Sequence, residues 1–258
     1  MSQSVTRFYD SFAETYRYIF PDWHISVRRQ GNILNQLLEK HGFSAQQQKV
    51  YDCTCGIGTQ SFGLAIQGWQ VHGTDLSSKA IELAGQYATE FDLPHTPTFE
   101  VMDLLNPSSI STQYDVVIAL DNAIPHFMND DDLATALRTI HSFLADDGIT
   151  MISIRDYDSL LENPPKTTLP SISDAGEGRH IIFQTWDWAD DLSSYQLNMY
   201  VTQHVGDTIS TQVFTSEYRA LRRERLSNVL GQVGFDNIEW LMPDDSGFYQ
   251  PIVIARKS

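Results

Sequence analysis

The sequence predicts an α/β protein built on a mostly parallel β-sheet, with an antiparallel β-meander inserted late in the chain. Residues 50–75 fit a strand, a tight glycine turn, a helix and a second strand, which is the pattern of a βαβ unit. Residues 114–120 form an apolar run that is typical of a strand buried on both faces. Residues 179–218 contain three β-rich runs separated by short polar turns, which indicates antiparallel hairpins.

The first 45 residues predict two helices. Residues 8–23 are rich in aromatic side chains, and Gly42 is a plausible end for the second helix. The apolar residues of that second helix recur at helical spacing: Ile33, Leu34, Leu37 and Leu38. Two interpretations are open. The helices cover an edge of the sheet, or residues 1–45 form a lid over a ligand cleft in which Arg29 binds a carboxylate of the ligand.

The rest of the chain continues the alternation of helices and strands. Ser77 is a predicted N-cap, and three aspartates at 130–132 place negative charge at another helix N-terminus. The other predicted elements are strands at 99–103, 149–154, 238–241 and 248–255, a helix at 221–233 and a loop at 163–178. With the meander at 163–218 as an insertion, residues 1–258 are expected to form a single domain.

Composition limits the range of functions. The 258 residues are 41% hydrophobic, enough for one large core, and the formal net charge is −16 with a pI near 4.7. Nucleic-acid binding needs clustered Lys and Arg, so no such partner is expected. The acidity fits either a saline cytoplasm or an ordinary solvated surface. Because no apolar leader or membrane span is recognisable, a cytoplasmic protein without a membrane partner is predicted.

The glycine turn distinguishes between ligand classes. Gly56 and Gly58 are not followed by the third glycine of a dinucleotide fingerprint. Asp52, four residues before Gly56, suits a cationic ligand better than a diphosphate. Asp75 ends the second strand, where doubly wound folds place an acid that accepts hydrogen bonds from ribose hydroxyls. The alternative is an ordinary strand–turn–helix connection without a ligand. Cys53 and Cys55 are too close in sequence for a disulfide and have no zinc-type partners.

Every predicted strand of the α/β part ends in a polar residue. These residues are Asp52, Asp75, Asp103, Asp121 with Asn122, and Arg155. The carboxyl ends of parallel strands meet at one crevice, so we expect these side chains to lie near one another. Asp121 and Asn122 also allow a magnesium site. Arg155 would repel the cation, so no metal is predicted. The preferred interpretation is a substrate wall, with Asn122 as a neutral hydrogen-bond partner and His126 either nearby or purely structural.

Two sequence patterns support a specific resemblance. Asp52 followed by Gly56-x-Gly58 resembles motif I of class I S-adenosylmethionine (SAM)-dependent methyltransferases, with Thr54 where a glycine is usual. Over nearly the whole chain, the sequence also resembles the glycine and sarcosine N-methyltransferases. The segments that carry this resemblance are 8–10, Tyr16, 22–23, motif I, 120–122, 154–158, the meander and 249–251. The resemblance implies a Rossmann-like class I methyltransferase fold with a seven-stranded, mostly parallel sheet.

The resemblance also implies SAM as cofactor, S-adenosylhomocysteine as product and a small amine or amino acid as acceptor. The implied cofactor residues are Tyr16, Trp23, Arg29, Asp52, Thr54, Gly56, Gly58, Asp75, Leu76, Asp103, Leu104 and Asp121, with Asp103 and Leu104 at the adenine. The implied acceptor residues are Asn122, His126, Arg155, Tyr157, Tyr218 and Tyr249, among which Asn122, Arg155 and Tyr249 are the catalytic set. Asp156, where mammalian members have Asn, and a shorter N-terminal segment are departures. A monomer or homodimer is expected.

The acceptor amine must be neutral to accept a methyl group, and the pKa of a free aliphatic amine is around 10. A desolvating aromatic pocket lowers that pKa and can also hold an ammonium by cation–π contact. Two other functions remain open: a different small-molecule O- or N-methyltransferase, or a SAM-binding protein without catalysis. For Arg155 the alternative to an acceptor clamp is an internal ion pair with Asp156, Asp158 or Asp121.

Overall fold

A computed structural model of the chain describes residues 3–107, 112–174, 176 and 178–258. The helices are α1 (Gln3–Tyr16), α2 (Trp23–Lys40), α3 (Thr59–Ile66), α4 (Ser78–Tyr87), α5 (Asp130–Phe143), α6 (Tyr157–Leu160), α7 (Arg223–Gln232) and α8 (Pro243–Ser246). The strands are β1 (Lys49–Asp52), β2 (Gln70–Asp75), β3 (Thr98–Val101), β4 (Tyr114–Ala119), β5 (Leu144–Ser153), β6 (Ser171–Ser173), β7 (Arg179–Trp188), β8 (Ser194–Val205), β9 (Thr208–Arg219), β10 (Phe235–Leu241) and β11 (Ile252–Lys257). Short 3₁₀ turns occupy Arg17–Ile19, Ala88–Glu90 and Ile124–His126.

Seven strands form one mixed sheet in the order β10-β11-β5-β4-β1-β2-β3. The pairings among β1 to β5 are parallel, and β11 runs antiparallel to both of its neighbours. The predicted mostly parallel sheet is therefore confirmed. The chain proceeds from β1 outward to β3 and then returns to β4 on the other side of β1. Ligands of such sheets bind outside the carboxyl ends of the strands at this reversal, which here lies between β1 and β4.

Strands β6 to β9 form a separate antiparallel sheet, which confirms the predicted meander. The long β8–β9 hairpin closes where Val205 pairs with Thr208, and Gly206 in the turn has a φ of 56°. The segment 163–178, predicted as a loop, contains the short strand β6, which pairs with β7. Three residues are too few to show a strand periodicity, so the sequence alone did not indicate this strand.

Helix α1 connects the two sheets. It packs against α4 on one side and against β9 of the meander on the other. Phe8 and Phe12 bury the apolar face of α1 in the same core as the inner face of the meander, and the ring centroids of Phe12 and Phe214 are 5.0 Å apart. The N-terminal segment therefore forms part of the core between the sheets. Its action as a lid remains a prediction.

Helices α2 and α3 cross in direct backbone contact. A Cβ added to Gly31 would lie 2.1 Å from the carbonyl oxygen of Gly63, and one added to Gly63 would lie 2.6 Å from the carbonyl oxygen of Val27. No side chain fits between the two helices at this point, because both obstacles are backbone atoms that cannot rotate away. The contact fixes the first turns of α3, and α3 follows the glycine turn directly.

Local capping signals locate the helix starts accurately. The Ser77 hydroxyl accepts a hydrogen bond from the Ala80 N–H, and Asn129 caps α5 directly before the three aspartates. The last strand begins later than predicted, at Ile252, because Pro251 has no N–H to donate to a ladder. The residues before it leave the sheet and form the wall of a cavity described below. Within the described ranges, no helix has the length and apolar composition needed to cross a lipid bilayer.

Candidate active site

The turn after β1 places two glycines at the carboxyl end of the sheet. Gly56 has a φ of 53° and Gly58 a φ of 93°, a left-handed region that residues with a Cβ disfavour. The space that a Cβ of Gly56 would occupy is open, whereas a Cβ on Gly58 would lie 2.6 Å from the Phe62 ring. Gly58 is the N-cap of α3. Gly56 therefore leaves room for a ligand, while Gly58 shapes the turn.

Asp75, at the end of β2, binds the glycine turn through its side chain. One carboxylate oxygen accepts a hydrogen bond from the Gly56 N–H and the other accepts one from the Ser77 N–H, each at 2.9 Å. Burial raises the pKa of this carboxyl, and the neighbouring Asp10 adds to the effect. A carboxylate has about four lone-pair sites, so Asp75 retains acceptor capacity for a ligand.

Asp52 lies behind the turn and not on a cavity wall, so its predicted direct contact with the cofactor is not supported. It is 1% exposed and accepts a hydrogen bond of 2.7 Å from the Ser61 hydroxyl of α3. Burial raises the pKa of Asp52 to about 7. The acid of the motif thus links the end of β1 to α3 and holds the turn in place.

A first cavity opens beside this turn at the carboxyl edge of the sheet. Eight predicted site residues line it: Tyr16, Thr54, Gly56, Asp75, Leu76, Leu104, Asp121 and His126. The Thr54 hydroxyl is buried and has no hydrogen-bond partner among the described residues. Sequence reasoning missed Met102, next to the predicted Leu104, and Tyr9 of α1, both of which line the cavity.

Three further residues predicted to bind the cofactor line neither this cavity nor the second one. Trp23 is buried among aromatic rings, and its Nε1–H donates a 2.9 Å hydrogen bond to Thr59, which does line the first cavity. Asp103 accepts a hydrogen bond from the Leu105 N–H and so closes its own turn. Arg29 is exposed on α2. None of these three side chains lines either cavity, although the charge of Arg29 opposes the rise that burial causes in the pKa of Tyr249, which lines the second one.

A second cavity, of about 560 Å³, lies between α1, the meander and the loop before β11. Its wall carries the predicted acceptor residues Arg155, Tyr218 and Tyr249. Apolar side chains form much of the remaining wall: Phe8, Phe12, Ile19, Phe20, Leu160, Trp186, Leu197 and Met199. The cavity is thus a largely apolar chamber with a few polar groups, as small-molecule sites commonly are.

Arg155 is the cation of the second cavity. Its guanidinium donates to the Tyr195 hydroxyl and lies over the rings of Trp186 and Tyr218, at 4.7 Å and 5.2 Å from their centroids. Two of its three alternative partners, Asp156 and Asp158, pair with Arg223 of α7 instead. Among the described residues no carboxylate forms a direct ion pair with Arg155, although the third candidate, Asp121, is near enough for the charge of Arg155 to oppose the rise that burial causes in its pKa.

Asn122 and Tyr157, both predicted to contact the acceptor, lie behind Arg155 and line neither cavity. The Asn122 side-chain oxygen accepts from the Arg155 N–H at 2.9 Å and from the Tyr157 hydroxyl at 3.1 Å. The Tyr157 hydroxyl also lies 3.0 Å from the Tyr195 hydroxyl. This hydrogen-bond network holds the Arg155 backbone and the Tyr195 hydroxyl in position. Tyr195 was missed, since no local motif marks it, and only its pairing with Tyr218 across the meander brings it to the site.

His126 joins α1 to the meander. Its Nδ1 lies 3.1 Å from the Glu217 carbonyl oxygen, which can only accept, so Nδ1 carries the proton. Nε2 then accepts a 2.9 Å hydrogen bond from the Tyr9 hydroxyl. Burial lowers the pKa of His126 to about 3, so the ring is neutral at physiological pH. The two interpretations left open for His126 both hold in part, since it is a structural anchor whose ring lines the first cavity.

The two cavities meet at Asp121, Tyr9 and Tyr16, which line both of them. The carboxylate of Asp121 accepts hydrogen bonds from the hydroxyls of Tyr16 and Tyr249. Burial raises the pKa of Asp121, while these two hydrogen bonds and Arg155 oppose that rise. A ligand in the first cavity and a ligand in the second can therefore touch at this junction.

Comparison with known proteins relates the part of the chain around the glycine turn to methyltransferases. Residues 50–148, which include the glycine turn, Asp75 and Asp121, match the family model of a methyltransferase domain. The whole chain superposes on a SAM-dependent methyltransferase from Clostridium acetobutylicum with a TM-score of 0.75 at 15% identity, covering 97% of this chain and 99% of that one. The chain has the class I methyltransferase fold, and residues 50–148 match a methyltransferase domain, which supports SAM-dependent methyl transfer. Its cofactor is SAM.

The methyltransferase also resembles characterised relatives along most of its length. It is 26% identical over 259 residues to a glycine/sarcosine N-methyltransferase from Aphanothece halophytica, covering 92% of this chain and 84% of the relative. It is 25% identical over 220 residues to a glycine/sarcosine N-methyltransferase from Halorhodospira halochloris, covering 84% and 75%. At this level of identity the relatives do not determine the acceptor, which has to be argued from the site.

The first cavity of the methyltransferase suits SAM chemically. A buried hydroxyl without a partner (Thr54), open space over Gly56 and two carboxylates (Asp75 and Asp121) match a ligand that carries amino, carboxylate, ribose and sulfonium groups. Nothing in the described ranges resembles a metal site, since no group of three His, Cys, Asp or Glu residues is arranged to hold an ion.

Proposed function

We propose that this methyltransferase transfers a methyl group from SAM to the amine of a small amino-acid-like acceptor, of the glycine or sarcosine type. The observation that carries the proposal is Arg155, whose guanidinium lines the second cavity and forms no direct ion pair with a carboxylate of the described chain. Removing a charge from water is costly unless it is paired. A carboxylate on the acceptor supplies that pair, and the planar guanidinium matches it with two parallel hydrogen bonds.

The relatives support the same acceptor class. Both relatives named above are glycine/sarcosine N-methyltransferases, aligned over 92% and 84% of this chain. A cytoplasmic location and a monomeric or homodimeric state remain part of this proposal as predictions.

The cofactor is proposed to lie in the first cavity. Asp75 accepts hydrogen bonds from the ribose hydroxyls, and Met102 and Leu104 contact the adenine, while the glycine turn accommodates the methionine part. SAM supplies an electrophilic methyl group on a sulfonium centre. The protein's task is to hold the acceptor nitrogen in line with that methyl at the junction of the cavities, because this displacement depends on proximity and alignment.

The cofactor placement predicts that Asp75→Ala weakens SAM binding about tenfold or more, since hydrogen bonds to a charged acceptor are worth roughly 1.5–3 kcal/mol each. Calorimetric titration of SAM measures the change. Asp103→Ala is the matched control, because Asp103 lies in the next strand-end position but lines neither cavity. Unchanged affinity in Asp75→Ala would remove Asp75 from the cofactor site.

The acceptor proposal is tested by release of S-adenosylhomocysteine with a paired panel. Glycine, sarcosine, dimethylglycine and larger amino acids are compared with amines of the same shape that lack the carboxylate. The amino acids should be used and their decarboxylated partners should be poor substrates. If both groups react equally well, the amino-acid assignment fails while the methyltransferase assignment stands. If nothing in the panel reacts, a SAM-binding protein without this catalysis is the better account.

A second candidate is a methyltransferase for a bulkier small molecule. The second cavity is far larger than glycine requires, and most of its wall away from Arg155 is apolar. Large apolar surfaces favour acceptors that bury hydrocarbon, at about 25 cal/mol per Å². Within the same panel, a kcat/KM that rises with the size of the amino-acid side chain would favour this candidate over a glycine-type acceptor.

A further inference from the structure

Asp121 occupies a position that no other acid of the described chain shares. It lines both cavities, whereas Asp75 lines only the first and Asp156 only the second. Asp156 is paired with Arg223, but Asp121 forms no ion pair among the described residues. The second cavity therefore has one cation, Arg155, and one acid, Asp121, that influence each other electrostatically but form no direct ion pair among the described residues.

The Asp121 carboxylate retains capacity for a ligand. The Tyr249 hydroxyl donates to one oxygen and the Tyr16 hydroxyl to the other. Two of about four lone-pair sites are then used, one on each oxygen, so each oxygen can still accept a hydrogen bond. A ligand N–H reaching either oxygen would lie at the junction where the two cavities join.

The backbone that carries Asp121 is held in an uncommon conformation. Asp121 and Asn122 have φ angles of 57° and 63°, a region that Asp and Asn tolerate better than most residues. The Asp121 N–H donates to the Ser153 hydroxyl at 2.8 Å, and that hydroxyl donates to the Gln250 side chain at 2.8 Å. Such conformations persist where the surroundings enforce them, which is common at functional sites.

We propose that Asp121 binds the ammonium group of a zwitterionic acceptor and takes one of its protons before methyl transfer. The inference rests on the proposed function, because it needs an acceptor that carries both an amine and a carboxylate. Arg155 holds the carboxylate and Asp121 holds the ammonium, so the acceptor nitrogen lies at the junction of the cavities. The role of Asp121 is then in the acceptor site, in addition to its place on the wall of the cofactor cavity.

The proton and electrons balance without a further reactant. One N–H bond of the ammonium breaks and the proton joins a carboxylate oxygen of Asp121, which leaves a lone pair on nitrogen. That lone pair forms the bond to the methyl carbon while the carbon–sulfur bond breaks and its electron pair returns to sulfur. The N-methyl ammonium product leaves, and Asp121 releases its proton to solvent.

The environment of Asp121 favours this use of the carboxylate. Burial raises its pKa, which brings a carboxylate closer to the range in which it accepts protons at neutral pH. The groups that face it are Tyr9 and Tyr16 from α1, Tyr218 from β9, Tyr249 and Arg155. Burial raises the pKa of each of these tyrosines, so they stay neutral donors while Asp121 titrates.

The test uses the full-length isosteric variant Asp121→Asn, with Asp187→Asn of the meander as matched control, since Asp187 is exposed and lines neither cavity. With glycine or the best amino acid of the panel, Asp121→Asn should lower kcat/KM about 100-fold near neutral pH. Its rate should then rise about tenfold per pH unit up to the pKa of the free amine, because only the neutral amine reacts. The wild type should show a weaker alkaline dependence.

Binding measurements separate the two roles of Asp121. Acetate, which has a carboxylate but no ammonium, should bind wild type and Asp121→Asn equally, whereas glycine should bind the variant more weakly. Tyr249→Phe removes a hydrogen bond that stabilises the carboxylate, so the acid limb of the pH–rate profile should move to higher pH. The same kcat/KM and pH profile in Asp121→Asn as in wild type would overturn the inference. So would a loss of SAM affinity as large as the loss of activity. A wild type that methylates no amino acid would instead refute the proposed function.

Discussion

Replacing Arg155 with lysine should lower kcat/KM for an amino-acid acceptor about 30- to 100-fold, while the Kd of SAM changes by less than about threefold. The guanidinium forms a planar fork that matches a carboxylate in two parallel hydrogen bonds, and a lysine ammonium is a single point charge. Arg155 also stacks on Trp186 and Tyr218 and donates to Tyr195, contacts that lysine cannot reproduce together. Steady-state kinetics and SAM calorimetry measure the two quantities.

Arg225→Lys is the matched control for this prediction. Arg225 pairs with Asp130 at the start of α5 and lines neither of the two cavities described for the acceptor and cofactor. Its replacement should leave acceptor kinetics unchanged. If Arg155→Lys lowers the Tm and weakens the binding of both SAM and the acceptor, Arg155 acts as a core residue. The proposal that Arg155 binds the acceptor carboxylate is then refuted.

Replacing Gly31 with alanine should lower the free energy of unfolding by about 3 kcal/mol or more, which is a large effect for one methyl group. The added Cβ would lie 2.1 Å from the carbonyl oxygen of Gly63, so α2 and α3 must separate. Alanine favours a helix by about 1 kcal/mol over glycine, and this gain only partly offsets the clash. Urea unfolding followed by circular dichroism measures the difference.

Gly85→Ala shows whether replacing a helical glycine with alanine raises or lowers the free energy of unfolding when no clash is present. Gly85 lies in α4, is exposed, and has nothing within 4 Å of the position that a Cβ would occupy. Alanine there should stabilise the protein by up to about 1 kcal/mol. A Gly31→Ala variant as stable as Gly85→Ala would show that the helices separate at little cost.

The sequence predicted those parts of the site that local patterns determine. The glycine turn, Asp75 and the polar strand ends follow from strand–turn–helix periodicity, and they reach one crevice because parallel strands end at the same edge. Tyr16, Leu104, Tyr218 and Tyr249 were also placed correctly on cavity walls.

The direction of side chains could not be predicted. Trp23, Tyr157 and Asn122 lie next to the functional motifs, yet each points into the interior, where hydrogen bonds to Thr59, Tyr195 and Arg155 hold it. Tyr195 reaches the site only through the register of a long hairpin, which depends on pairing between distant residues. Arg219, Arg223 and Arg225 likewise pair with acids distant in sequence, namely Asp130, Asp156 and Asp158.

Helix α1 supplies wall residues to both cavities, with Tyr9 and Tyr16 facing each of them. A ligand in one cavity that shifts α1 would therefore change the wall of the other cavity. By thermodynamic linkage, the factor by which one ligand changes the affinity for the other is the same in either order of addition. Substitutions on the face of α1 that packs against α4 would then alter acceptor affinity without touching the acceptor.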